Sequence, residues 1–375
     1  MLIKSMTIQG LFTPIKIGNH QLNHRVVMAP CLRFRNTLEG VPTDLVIEYY
    51  RQRASNGGLL ISEATGIDRL AGLYVRSSGI FTKEQIEGWK KVTNAVHQKG
   101  GVFFMQLWHA GRAGTKTLNP NGEQVVSASD IPIAGLNYFG GNIEHEVPRP
   151  LTLTEIKEWI QTYRQAALNA IEAGFDGVEI HAANGYLLDQ FINSNSNKRT
   201  DEYGGSIENR ARFVLEIVDA VTEAIGEERT AIRFSPGAAY NDMFDESVVD
   251  TWSYITLQLQ KHHPRLAYLH FIEPRYSFTS DQNEFTEDTL APFRQIWKGP
   301  FIAANGFSTS IEKAHEYAQT HGTLVAFGRA FIANPDLPER LLHGWPLNKY
   351  DRPTFYTHTA EGYIDYPFYK DIENI

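Results

Sequence analysis

The sequence predicts an α/β chain folded as a (β/α)8, or TIM, barrel, and three observations predict it. Eight short apolar runs recur along the chain, helix-length segments separate most of them, and no Gly-x-Gly-x-x-Gly follows the first run. Runs that are apolar throughout, rather than alternating, belong to strands covered on both faces, as in a parallel sheet. Eight β-α units suggest a closed barrel, and the missing glycine fingerprint removes the main support for an open doubly wound sheet.

The first run is Arg25–Pro30, followed by a helical Asp44–Ala54. Leu59–Glu63 precedes a helix near Glu84–Gln98, and Val102–Leu107 comes next. A Gly/Asn/Pro-rich excursion then occupies about 111–150, too long for a plain connector and expected to form a lid or substrate loop. Thr152-Leu-Thr-Glu155 reads as a capping box. Behind it, Ile156, Trp159, Ile160, Tyr163, Ala167 and Ile171 recur at helical spacing up to Gly174. Phe175–Ile180, Thr230–Phe234, Leu266–Ile272, Pro300–Ala304 and Leu324–Phe327 complete the strands. No boundary interrupts the series, so residues 1–375 are expected to form one domain.

The 42% apolar and 21% charged composition belongs to a globular protein with an ample core. A net charge of −8 argues against nucleic-acid or anionic-membrane partners. A single cysteine, Cys31, excludes a disulfide framework and a multi-cysteine zinc site. Neither a signal-peptide core nor a run of about 18 apolar residues is visible, so the expectation is a cytoplasmic protein.

Barrel enzymes carry their chemistry at the C-terminal ends of the strands. Those positions hold Leu32 and Arg33, Glu63, Gln106 and Trp108, His181 and Asn184, Arg233, Glu273 and Arg275, Asn305, Gly328 and Arg329. Loops after the seventh and eighth strands commonly bind phosphate, and Asn305-Gly306 and Gly328-Arg329 suit that task. The alternative is two turn glycines and a surface ion pair. His181 and Asn184 both donate hydrogen bonds without full charge, so together they could stabilise negative charge on one oxygen. A lone histidine in a barrel is as readily structural. No further His or Asp supports a metal. Tyr186 has a phenol that could give up a proton. Gln106 and Arg233 need polar partners, either a flat heteroaromatic ligand or groups of the protein itself.

His181-Ala-Ala-Asn-Gly-Tyr-Leu-Leu-Asp-Gln-Phe191 and the run Asn197–Arg210 closely resemble the old yellow enzyme family. Met28-Ala-Pro30, Gln106-Leu-Trp108, Glu273-Pro-Arg275, Phe327-Gly-Arg329 and Asn334-Pro-Asp-Leu337 add to the likeness, and Pro346–Asp351 and Gly362–Pro367 resemble the fungal and plant-type branch. The resemblance implies non-covalent FMN, contacted by Pro30, Leu32, Ala64, Gln106, His181, Arg233, Asn305, Gly306, Gly328 and Arg329. It implies that NADPH or NADH reduces FMN, which then reduces the C=C bond of an α,β-unsaturated carbonyl compound. His181 and Asn184 would hold the carbonyl oxygen and Tyr186 would protonate Cα. Tyr74, Trp108, Phe278 and Tyr356 would line the pocket. One departure stands out: much of the family has threonine where this chain has Leu32. The expected assembly is a monomer or homodimer. A flavin enzyme dedicated to one biosynthetic intermediate, and a hydrolase or aldolase on the same barrel, remain the alternatives.

Overall fold

Each apolar run forms a strand: β1 (Val26–Met28), β2 (Leu59–Ile61), β3 (Val102–Trp108), β4 (Gly177–Ala182), β5 (Thr230–Phe234), β6 (Tyr268–Ile272), β7 (Phe301–Ala304) and β8 (Leu324–Phe327). The computed structural model describes residues 10–274 and 288–369. All eight strands pair in parallel in chain order, β8 returns to β1, and the ring is closed. The chain therefore forms the (β/α)8 barrel its periodicity predicts. The strand ends differ from the sequence reading in one consequential way. Trp108 joins Gln106 inside β3 and His181 lies inside β4, because parallel pairing keeps these segments extended (Glu179 opposite Gln106, His181 opposite Arg233).

Among the described residues the helices are α1 (Asp44–Arg53), α2 (Lys83–His97), α3 (Leu153–Glu172), α4 (Leu187–Ile192), α5 (Ile207–Ile225), α6 (Val248–His262), α7 (Ala291–Ile296), α8 (Ile311–His321), α9 (Arg329–Ala333) and α10 (Leu337–His343). The capping box of α3 forms: Thr152 Oγ1 accepts from the Glu155 amide, and Glu155 accepts from the Thr152 amide at 2.8 Å. The helix buries Ile156, Ile160, Tyr163, Ala167 and Ala170, while Trp159 and Ile171 sit half-buried at the edges of the stripe. None of these helices is long and apolar enough to cross a membrane.

Apolar side chains such as Ile61, Phe104, Ala231, Ile302 and Leu324 fill the barrel interior. Closer to the mouth the filling turns polar: Gln106, Glu179, Arg233 and His270 are all buried. Polar groups buried this way need partners, so this layer marks where the packing requirement gives way to another one.

The excursion at 111–150 carries its own short pairings. Val126–Ser127 runs parallel to Arg149–Pro150, and Leu136–Asn137 forms an antiparallel hairpin with Ile143–Glu144. Gly141 and Asn142 turn the hairpin with φ of 96° and 58°.

The C-terminal segment is held by three buried arginines with no carboxylate ion pair among the described residues. Arg33 donates to the carbonyls of Phe355 and Gly362, at 3.1 and 2.7 Å. Arg35 reaches those of Thr354, Phe355, Thr359 and Glu361. Arg53 donates to the Tyr363 carbonyl and lies 3.7 Å above the Tyr49 ring, which stacks on Tyr363. Carbonyl dipoles and aromatic faces thus replace the missing anions.

Candidate active site

The barrel mouth gathers Leu32, Ala64, Tyr74, Trp108 and Tyr186 into one cluster, joined by Phe34. The Tyr186 ring meets His181 edge-on at 5.1 Å and Trp108 at 5.3 Å. Trp108 is fully buried and backs Tyr74, whose ring lies 5.3 Å away. Burial, with help from the neighbouring Tyr74, pushes the Tyr186 phenol well above its ordinary range, so it keeps its proton.

His181 sits opposite Arg233 in β5. Burial first, then the charge of Arg233, holds its imidazole well below the usual histidine range. It is therefore neutral, and its Nδ1 has no hydrogen-bond partner among the described residues. Asn184 follows in a left-handed turn with φ of 58°. Other elements bond the Asn184 and Gly185 amides and the Asn184 carbonyl and leave the Asn184 side chain alone. The Asn184 amide donates to Ser235 Oγ at 2.7 Å, and Asn241 Nδ2 donates to the Asn184 carbonyl at 2.9 Å. The Gly185 amide donates to Asp189 Oδ2 at 2.8 Å. Gly185 has φ of 69°, and a Cβ there would meet Asn241 Cβ at 2.6 Å, so only glycine fits. The Asn184 carboxamide makes no hydrogen bond among the described residues. Asp189, Ser235 and Asn241 escape a sequence reading because they act on backbone atoms; the carboxylate four residues after Gly185, in the first turn of α4, was the available signal. Burial pushes Asp189 up to about 7.

Below them, Gln106 Nε2 donates to Glu179 Oε1 at 2.8 Å, and Glu179 Oε2 pairs with His270 Nδ1 at 2.8 Å. Of the two partners foreseen for Gln106, the protein thus supplies one for the amide nitrogen, while Oε1 makes no hydrogen bond among the described residues. Arg233 has no carboxylate within 4 Å among them, and its Nε is buried and unpartnered. An acceptor beside an unmatched guanidinium fits an imide-like edge, an N–H next to a carbonyl oxygen, which the pyrimidine part of a flavin presents.

At the ends of β7 and β8, Asn305 and Gly306 are left-handed with φ of 79° and 87°. The Asn305 side chain is turned to the Glu273 carbonyl, to which its Nδ2 donates at 2.9 Å. A Cβ on Gly328 would meet Cys31 Sγ at 3.4 Å, and Arg329 donates to the Tyr350 hydroxyl at 3.1 Å. Burial raises the Cys31 thiol, and the charges of Arg33, Arg233 and Arg329 oppose it only in part. Pro30 is half-buried at the end of the Met28-Ala-Pro turn. Phe278 and Arg275 lie outside the described residues.

Outside this layer is a cavity of about 320 Å³ lined by Phe34, Tyr74, Tyr138, Phe139, Tyr356 and His358. Tyr74 and Tyr356 were expected there; Phe34 and Phe139 were not. Phe139, at the tip of the hairpin, packs 4.9 Å from Tyr74, 5.0 Å from Tyr356 and 5.4 Å from Phe34. Phe34 holds a left-handed φ of 55°, a costly conformation for an aromatic residue.

The sequence profile of the NADH:flavin oxidoreductase / NADH oxidase family matches residues 10–348. The chain is an old yellow enzyme. It is 50% identical to flavin oxidoreductase hxnT of Emericella nidulans, over 96% of this chain and 98% of that one. It is 47% identical to 12-oxophytodienoate reductase 1 of Oryza sativa subsp. japonica, over 97% and 94%. The solved structure of morphinone reductase in complex with tetrahydroNAD superimposes with a TM-score of 0.88 at 44% identity, covering 96% of this chain and 97% of that one. As an old yellow enzyme the protein is an oxidoreductase that binds FMN and takes electrons from a nicotinamide donor.

Proposed function

We infer that this old yellow enzyme is an ene-reductase for α,β-unsaturated carbonyl compounds, with NADPH or NADH as the donor. One observation carries the reading: a neutral imidazole and an uncommitted carboxamide stand at the mouth beside a buried phenol that retains its proton. Bound FMN supplies the two-electron chemistry. Gln106 and Arg233 hold its pyrimidine edge, and Arg329 with the backbone of Asn305, Gly306 and Gly328 holds its phosphate. Pro30, Leu32 and Ala64 pack against its ring.

The chain's own work is then orientation and charge. His181 and Asn184 donate to the substrate carbonyl oxygen, and their effect grows as negative charge builds there. A neutral imidazole gives up no proton in doing so. Tyr186 delivers the proton to Cα, and its high pKa suits a group that protonates carbon rather than ionising at rest. Tyr74, Trp108, Phe278 and Tyr356 confine the rest of the substrate.

The purified protein should be yellow, bleach with NADPH and recover its colour with 2-cyclohexenone. Tyr186→Phe should still bleach at the normal rate, while its reoxidation by the enone slows roughly 10²-fold. Bleaching without any reoxidation by enones would leave the family assignment intact and remove the ene-reductase reading.

A further inference from the structure

Beneath the mouth lies a charged group that the chemistry above does not use. Glu179 is fully buried at the middle of β4, and each carboxylate oxygen has one donor, Gln106 Nε2 and His270 Nδ1, both at 2.8 Å. A carboxylate at this depth is tolerated only if its charge is answered and its oxygens are hydrogen-bonded. Burial pushes Glu179 upward, but His270, Arg233 and the Gln106 amide outweigh it and hold the group below the ordinary carboxylate range. Burial likewise keeps His270 below the ordinary imidazole range. Facing the carboxylate, His270 donates through Nδ1–H, and its buried Nε2 has no hydrogen-bond partner among the described residues. The compensating cation is Arg233.

An ionised carboxylate only accepts hydrogen bonds, so the group that Gln106 turns toward it must be its NH2. The direction of the amide is thus dictated by the charge below it, which leaves Oε1 as an acceptor with no hydrogen bond among the described residues.

We propose that Glu179 is a positioning residue: held by His270, it locks the Gln106 amide with its oxygen toward the flavin and offsets the charge of Arg233. The proposal rests on the reading that Gln106 and Arg233 meet the flavin's pyrimidine edge. Two consequences follow for the holoenzyme. Gln106 selects an N–H on its ligand rather than an acceptor, and the field at the edge is set by a guanidinium and a carboxylate together. Removing the carboxylate frees the amide to rotate, weakening FMN binding. It also leaves the guanidinium charge unopposed, raising the potential of bound FMN.

The test is a double-mutant cycle read by FMN dissociation and by the midpoint potential of bound FMN. Glu179→Gln should raise the FMN dissociation constant roughly tenfold, as expected for one lost hydrogen bond to a charged group, and shift the potential upward. Gln106→Ala should weaken FMN to a similar extent, and combining the two should cost no more than either alone. His270→Asn, which keeps an N–H donor, should retain wild-type values in both readouts. Should Glu179→Gln fail to fold, His270→Leu carries the same test, since it strips one of the carboxylate's two donors and should shift both readouts the same way. The proposal is overturned if either variant changes only the melting temperature, or if the losses of Glu179→Gln and Gln106→Ala multiply. If Gln106→Ala and Arg233→Gln both leave FMN affinity and potential unchanged, the assignment of the pyrimidine edge has failed instead.

Discussion

The inner and outer halves of the mouth are built by different means. Around Asn184 the turn is fixed by hydrogen bonds to other elements: its amides donate to Ser235 after β5 and Asp189 in α4, and the Asn184 carbonyl accepts from Asn241 beyond. Around the outer cavity Phe34, Phe139 and Tyr356 meet one another only through ring contacts of 5.0 to 5.6 Å. Hydrogen bonds specify direction and aromatic contacts do not, so the inner half fixes geometry while the outer half can repack around different guests. The reacting oxygen should therefore be insensitive to the hairpin, and substrate choice should be insensitive to the braces.

The strongest challenge to this division is to remove both inner donors. His181→Ala with Asn184→Ala should lower kcat/KM for an enone about 10²–10³-fold and abolish the charge-transfer band with a para-substituted phenol. FMN should remain bound, and its loss would show instead that these side chains serve the cofactor.

A subtler probe is the buried carboxyl of Asp189, raised from 3.8 to about 7. A carboxyl with a raised folded pKa contributes stability that is complete below its unfolded value and lost as pH climbs through the folded one. Relative to wild type, Asp189→Asn should therefore gain stability between about pH 4 and pH 7 and level off above. At about 1.4 kcal/mol per unit the swing is on the order of a few kcal/mol. Denaturant melts across that range measure it; a flat difference would mean that Asp189 titrates as in the unfolded chain. The hydrogen bond lost on substitution displaces the curve without changing its shape.

The outer half predicts smaller effects. Phe139→Ala should alter KM several-fold for bulky enones, by a side chain's worth of contact, while leaving 2-cyclohexenone and the rate of flavin reduction unchanged. An equal effect on all substrates would assign Phe139 to the inner layer. Leu32 half-buries itself against the aromatic cluster and offers no donor where much of the family has a hydroxyl. Leu32→Thr should raise the flavin midpoint potential by about 1 kcal/mol, the worth of one ordinary hydrogen bond; an unchanged potential would show that the leucine is neutral.

These regions were not equally legible in the sequence. Barrel topology follows from strand runs whose side chains face apolar surroundings on both sides, and that pattern survives in one dimension. His181, Asn184 and Tyr186 lie within one short motif, so locality alone brings them to one place. The Glu179–His270 pair was hidden because both residues sit inside runs that read as apolar, Gly177–Ala182 and Tyr268–Ile272, and their interaction spans 91 positions. Phe139 arrives from a hairpin whose fold depends on Gly141 and Asn142 rather than on periodicity. The Asn184 braces act on peptide groups, which every residue shares and no composition reveals.

The arginine-held C-terminal segment ties the first β-α unit of the barrel to residues more than 300 positions away. Arg33, Arg35 and Arg53 lie early in the chain, yet the carbonyls they need belong largely to residues 354–363. Arg33 and Arg35 draw their long-range carbonyls from residues 354–362 alone, whereas Arg53 also holds those of Phe331 and Ile332. The same segment brings Tyr356 to Phe34, so the outer cup shares its anchorage with the arginines.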